Sequence, residues 1–231
     1  MNGYQWAVWI ETPGSESGEV CGERRFLFDA GEPDSELTGC CLVSPRADAP
    51  RIEALLAAGA EQVLLGESAL YDSALFTEAI ARYGGERIGV WLPVHRAKSS
   101  WALDTTSNAD FNVVAVSNPV PRWLVLQADR TPTDVDAQWW AGQMIAAGCG
   151  TLLVSVEAPE DDDLLACAEM AEIAGERFWL DSGSDAVEEL RFWTRYGQAR
   201  RLVLPAGCDV DGTTSALEER LAGEEGVPCS G

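Results

Sequence analysis

The chain has 231 residues, of which 46% are hydrophobic, enough to bury a core and too many for a disordered chain. Acids outnumber bases 38 to 16, a net charge of −22, and a surface of that sign repels phosphate backbones and argues against nucleic acid as a partner. Lys98 is the single lysine, and so acidic a balance suits either work in strong salt, where screening removes self-repulsion, or simply a soluble acidic protein.

The N-terminal run MNGYQWAVWIETPG has no basic start and no long apolar stretch, so no signal peptide is expected. No stretch reaches the roughly 18 apolar residues of a membrane span, and a reduced, cytoplasmic protein is the expectation. The seven cysteines (Cys21, Cys40, Cys41, Cys149, Cys167, Cys208 and Cys229) form no C-x-x-C, and His95 is the single histidine, so neither a zinc site nor a cofactor is expected. Cys40 and Cys41 are adjacent and would point to opposite faces of a strand.

Short apolar runs at 6–10, 26–28, 40–43, 62–65, 87–92, 152–155, 178–180 and 201–204 predict eight buried strands. Amphipathic helices are predicted at 49–58, 73–83, 135–147, 161–174 and 185–196. The segments AAGAEQVLL and AAGCGTLLV place a glycine at a helix stop just ahead of a strand. Alternating strands and helices mean right-handed parallel crossovers, and eight strands predict closure into a (β/α)8 barrel.

Two places break the alternation. The first 39 residues hold two strands but little helix, so the first βα units are expected to be shortened. After the fifth strand, FNVVAV and RWLVLQ flank Ser117–Asn118–Pro119–Val120–Pro121, a predicted extra β-hairpin on the face of the barrel that carries active sites. One domain over 1–222 with a frayed tail over 223–231 is the expected organisation.

Residues 123–172, beginning WLVLQADRTPTDVDAQWW, resemble the central stretch of the cyclase subunit of imidazole glycerol phosphate synthase. That family and its sister isomerase are phosphoribosyl-binding (β/α)8 TIM barrels of histidine biosynthesis. Its T-G-x-D-A turn, helical Trp and G-A-G-E-I-L-L run are matched by Thr133–Asp134–Val135–Asp136–Ala137, Trp140, and the residues from Gly148 to Leu153. The likeness extends over roughly residues 40–205, through RIEALLAAGAEQVLLGESALYDSALFTEAIARY upstream and FWLDSGSDAVEELRFW downstream.

The resemblance implies a phosphorylated ligand on glycine-rich loops, with aspartates closing the first and fifth strands as general acid and base. At the seventh-strand phosphate loop this chain has Asp181, Ser182 and Gly183 for Ser-Gly-Gly. After the third strand Arg46 remains of a Gly-Gly-Gly-Ile-Arg run, and after the eighth Gly207 remains. Pro93 stands at the fifth-strand aspartate, Glu11 is the substitute after the first strand, and Glu157 stands where the family has another aspartate. Glu11, Glu157 and His95 are thus the candidates for proton transfer, with Arg46, Ser182, Gly183 and Gly207 for phosphate.

Beside these, Ser68, Arg96 and Lys98 are candidate ligand contacts; the HRAK cluster is one of the few basic spots on the chain. His95 also reads as an exposed loop residue, Ser68 as a turn or helix-start residue, and Asp29 as a turn former or a site carboxylate. Asp161–Asp162–Asp163 reads as a solvated helix start. Of Trp139–Trp140 and Phe192–Trp193, one of each pair is expected at a surface, for helix packing or for a partner. Two functions stay open: a catalytically silent binding or scaffold subunit of a complex, or an enzyme acting on a phosphoribosyl or similar phosphorylated compound. The resemblance brings with it a glutaminase-type protein partner.

Overall fold

The computed structural model describes residues 4–12, 24–31, 37–97, 106–108, 111–113 and 122–225. All eight expected strands are present: β1 (Gln5–Trp9), β2 (Arg24–Phe28), β3 (Cys40–Ser44), β4 (Gln62–Leu65), β5 (Ile88–Arg96), and, after four strands outside the ring, β10 (Leu152–Val156), β11 (Phe178–Asp181) and β12 (Arg201–Leu204). They pair in parallel in that order, β5 with β10 and β12 with β1, and so close an eight-stranded barrel.

Among the described residues no helix separates β1 from β2 or β2 from β3. From β3 onward helices follow: α1 (Ala49–Ala57), α2 (Glu67–Tyr71), α3 (Ser73–Tyr83), α4 (Ala137–Ala146), α5 (Asp163–Ala174), α6 (Val187–Arg195) and α7 (Val210–Glu225). Residues 223–225, expected in the tail, belong to α7, and 226–231 lie outside the described residues. The carboxylates of Asp48, Asp72 and Asp136 accept from the backbone N–H of Arg51, Leu75 and Trp139, which fixes where α1, α3 and α4 start. The expected helix stops hold: Gly59 and Gly148 take φ of 99° and 101°, a region costly for any side chain.

The hairpin region is rearranged relative to expectation. Phe111–Val113 (β7) pairs with Thr106–Asn108 (β6), and the expected turn at 117–121 lies outside the described residues. Trp123–Leu126 (β8) instead pairs antiparallel with β5 on one side and with Pro132–Asp136 (β9) on the other. This pairing extends β5 through His95 and Arg96, so His95 is a half-buried strand residue and not a loop residue.

Strand alternation sorts the side chains into two cores. Ala7, Phe26, Cys41, Val43, Leu64, Trp91, Leu153, Trp179 and Val203 fill the barrel, and the opposite faces pack under the helices. Cys40 lies in the outer core and Cys41 in the inner one. Burial pushes the Cys41 and Cys149 thiols up to about 12, which leaves both as inert packing groups. At the N-terminal end of the strands, the loops before β5 and β10 press together through Gly85 and Gly150; a Cβ on either would overlap a backbone carbonyl of the other loop. In α4 and α6, Trp140 and Trp193 are buried while Trp139 and Phe192 are exposed, as the adjacent pairs require.

Candidate functional site at the barrel mouth

Parallel closure brings the C-terminal ends of all eight strands to one mouth, where the β–α loops of such a barrel build its sites. The floor of this mouth is aromatic. Trp9, the last residue of β1, stacks on Phe28 of β2 with ring centroids 4.7 Å apart and planes 2° from parallel. Phe28 in turn meets Trp91 of β5 edge-on at 5.2 Å, and Phe26 packs below.

Among these rings sits one carboxyl group. Asp181, the last residue of β11, accepts from Trp9 Nε1 at 3.0 Å, from Ser155 Oγ at 2.8 Å and from the Gly183 backbone N–H at 3.0 Å. Ser155 Oγ itself accepts from Trp91 Nε1 at 3.0 Å. One relay thus ties the ends of β5, β10, β11 and β1. Burial raises the Asp181 carboxyl above the usual carboxylate range, and the three donors only partly offset this. The sequence read Asp181 merely as an intruder in a phosphate loop. Strand parity would have found the relay, since Trp9, Trp91, Ser155 and Asp181 sit two residues on from or level with barrel-filling positions such as Ala7, Leu153 and Trp179.

The other candidates lie around this floor. Glu11 follows β1 and is exposed. Glu157 follows β10, is exposed, and takes a 2.6 Å ion pair from Arg130. His95 shares a strand face with Trp91 and Pro93, and its buried Nε2 has no hydrogen-bond partner. Arg46 is exposed and pairs with Glu67 at 2.9 Å. Ser68 and Ser182 each have a buried hydroxyl without a partner, while Gly183 and Gly207 turn at positive φ with open space where a Cβ would stand. Lys98 lies outside the described residues.

Arg96 is engaged elsewhere. It points out of the ring, donates to both carboxylate oxygens of Asp163 at 3.3 and 2.8 Å, and reaches Glu160 at 2.7 Å. Asp163 also accepts from Trp123 Nε1 at 2.9 Å and from the Glu160 N–H. The aspartate run is therefore not a solvated cap throughout: Asp161 and Asp162 are exposed, but Asp163 is 1% exposed. Burial alone would raise its carboxyl; the Arg96 guanidinium wins and holds it low. Asp29 takes the turn-forming role read for it and is held by an arginine as well. It caps the turn at Gly31, accepts from Ser44 Oγ at 2.6 Å, and is clasped by Arg51. Against burial, these donors hold its carboxyl at about 2.

The β8–β9 turn overhangs the mouth. Gln127 donates to the Tyr71 hydroxyl at 2.9 Å, the Ala128 N–H to Glu67 at 3.3 Å, and Arg130 bonds Glu157. Ala128 packs against the barrel-filling cluster and lines one crevice with Gly66, Trp91 and Pro93. Among the described residues no group of three or more His, Cys, Asp or Glu side chains is placed to hold a metal ion, and no helix is long and apolar enough to cross a membrane.

No family model matches the chain. Among curated proteins it is similar to imidazole glycerol phosphate synthase subunit HisF. Against that of Lacticaseibacillus paracasei it is 36% identical over 104 residues, 45% of this chain and 34% of the relative. Against that of Methanosphaerula palustris it is 30% identical over 106 residues, 45% and 37% of the two chains. The match thus spans about a third of the length of these relatives. With the closed eight-stranded parallel ring, this similarity supports a divergent HisF-like TIM barrel.

Proposed function

We propose that this barrel is a catalytically silent relative of HisF, kept as a binding or scaffold subunit of a multi-subunit complex in the cytoplasm. The observation that carries this reading is the orientation of Asp181. At the loop where the resemblance puts a phosphate, its carboxyl turns inward and is held by Trp9 and Ser155. It also accepts from the Gly183 backbone N–H, and so occupies a loop donor that a phosphate would need. Pro93, at the place of the fifth-strand aspartate, is buried and has no proton to exchange.

The alternative is a lyase or isomerase acting on a phosphoribosyl or related phosphorylated compound. It draws on the gathering of Glu11, His95 and Glu157 at one end of the ring, with Arg46, Ser68, Ser182, Gly183 and Gly207 beside them and Arg96 further out. A thermal-shift titration with inorganic phosphate and phosphoribosyl compounds, in low and high salt, separates the two. A flat response in both salts is expected. A saturable rise of several degrees with a phosphorylated sugar would favour the enzyme, and loss of its turnover in Glu11→Gln/Glu157→Gln would assign the proton carriers. For the scaffold, light scattering of the chain purified from its native cells in high salt should show a complex; a lone monomer would overturn it.

A further inference from the structure

We propose that the β8–β9 turn, residues 127–131, is a hinged lid over the β4–β5–β10 sector of the mouth, latched by the Arg130–Glu157 ion pair. The inference goes beyond the reading above and does not depend on what enters the barrel.

The root of the hairpin is fixed. Trp123 is fully buried, its indole N–H is bonded to Asp163, and β8 is in register with β5 from Val94↔Val125 to Arg96↔Trp123. The tip is held differently. Asp129, Arg130 and Thr131 are exposed, and Ala128 supplies the tip's packing against the inner core. What holds the tip down is polar and reaches both neighbours of β5 in the ring. On the β4 side are Gln127 to Tyr71 and the Ala128 N–H to Glu67, and on the β10 side is Arg130 to Glu157. A segment with few buried apolar contacts and a rigid root opens locally before the fold does.

Three non-glycine residues among those described have positive φ, and two of them lie at this ion pair: Arg130 itself at 68°, set by the tight turn it closes with Gln127, and Ala158, next to Glu157, at 47°. The third, Gln198, is at the far end of the barrel. Both partners of the pair are about half exposed, 49% and 44%, so salt screens their attraction and shifts the balance toward opening. Opening lifts Ala128 off the crevice it shares with Trp91 and Pro93 and withdraws Arg130, whose charge favours the ionised form of Asp181.

The test is amide hydrogen exchange by NMR on the full chain. Its reporter is the Ala128 N–H, and its control is the Val90 N–H, which bonds Thr151 across the β5–β10 seam. In Glu157→Gln, Ala128 exchange should rise about two- to fivefold, the span that an exposed ion pair supports, with Val90 unchanged. About 1 M salt should do the same to the wild type and add little to the variant. The exchanged pair, Arg130→Glu with Glu157→Arg, should restore slow exchange that either single reversal loses. The proposal is overturned by unchanged Ala128 exchange in Glu157→Gln, by an equal rise at Val90, or by failure of the exchanged pair to restore protection.

Discussion

Two kinds of buried carboxylate lie within the same barrel, and they behave in opposite ways. Outside the ring, Asp163 and Asp29 are each clasped by an arginine, and both carboxyls are held below their ordinary range despite burial. Inside it, Asp181 meets only neutral donors, Trp9, Ser155 and a backbone N–H, and burial raises it. Burial is common to all three; the presence of a guanidinium decides the sign. The outer pair therefore fixes strands to their surroundings in a charged state, while burial penalises the charge of the inner group at the barrel mouth.

Asp163→Ala should break this contrast most severely. It leaves Arg96, 23% exposed, and the Trp123 indole without their main acceptor, and a loss of about 3 kcal/mol is expected in urea unfolding. A loss below about 1 kcal/mol would mean that Glu160 alone satisfies Arg96. Asp29→Asn is expected to cost about 1–2 kcal/mol at neutral pH, and it carries a pH signature. The folded carboxyl titrates near 2 against an ordinary 3.8, so its contribution is present above 3.8 and fades as pH falls toward 2. The variant should lack that acid limb. Asp181→Asn should have the smallest effect, within about 1 kcal/mol at neutral pH, and the opposite slope. A raised carboxyl contributes below its ordinary value of 3.8, and that contribution is lost as pH rises through the folded titration point. Removing it should flatten a loss of stability with rising pH. If Asp181→Asn shows the Asp29 sign instead, the charge of Arg130 outweighs burial at the inner group.

The contrast also marks what the amino-acid sequence makes legible. All eight ring strands can be read in it because each is a short apolar run buried on both faces, and α3 falls at 73–83 as its pattern predicts. The likeness to HisF is legible for the same reason, resting on strand–helix spacing and the run around Gly148. What escapes is set by partners distant along the chain. Nothing in three successive aspartates says that the third is buried, because the reason is Arg96, 67 residues away. His95 reads as a loop residue until β8 arrives to extend its strand. Asp181 reads as a misplaced charge because its donors, on β1 and β10, become neighbours only when the ring closes.

That closure has a consequence of its own. The chain leaves the ring after Arg96 and returns to it at Leu152, so β5 and β10 must find one another across the longest gap between ring strands that follow one another along the chain. They meet with Gly85 against Gly150, where neither residue has a side chain to hold the loops apart. A single methyl group at either position would act as a wedge in that joint, and its damage would reach the mouth at the opposite end, where the lid hangs from those same two strands and Trp91 of the aromatic floor from one of them.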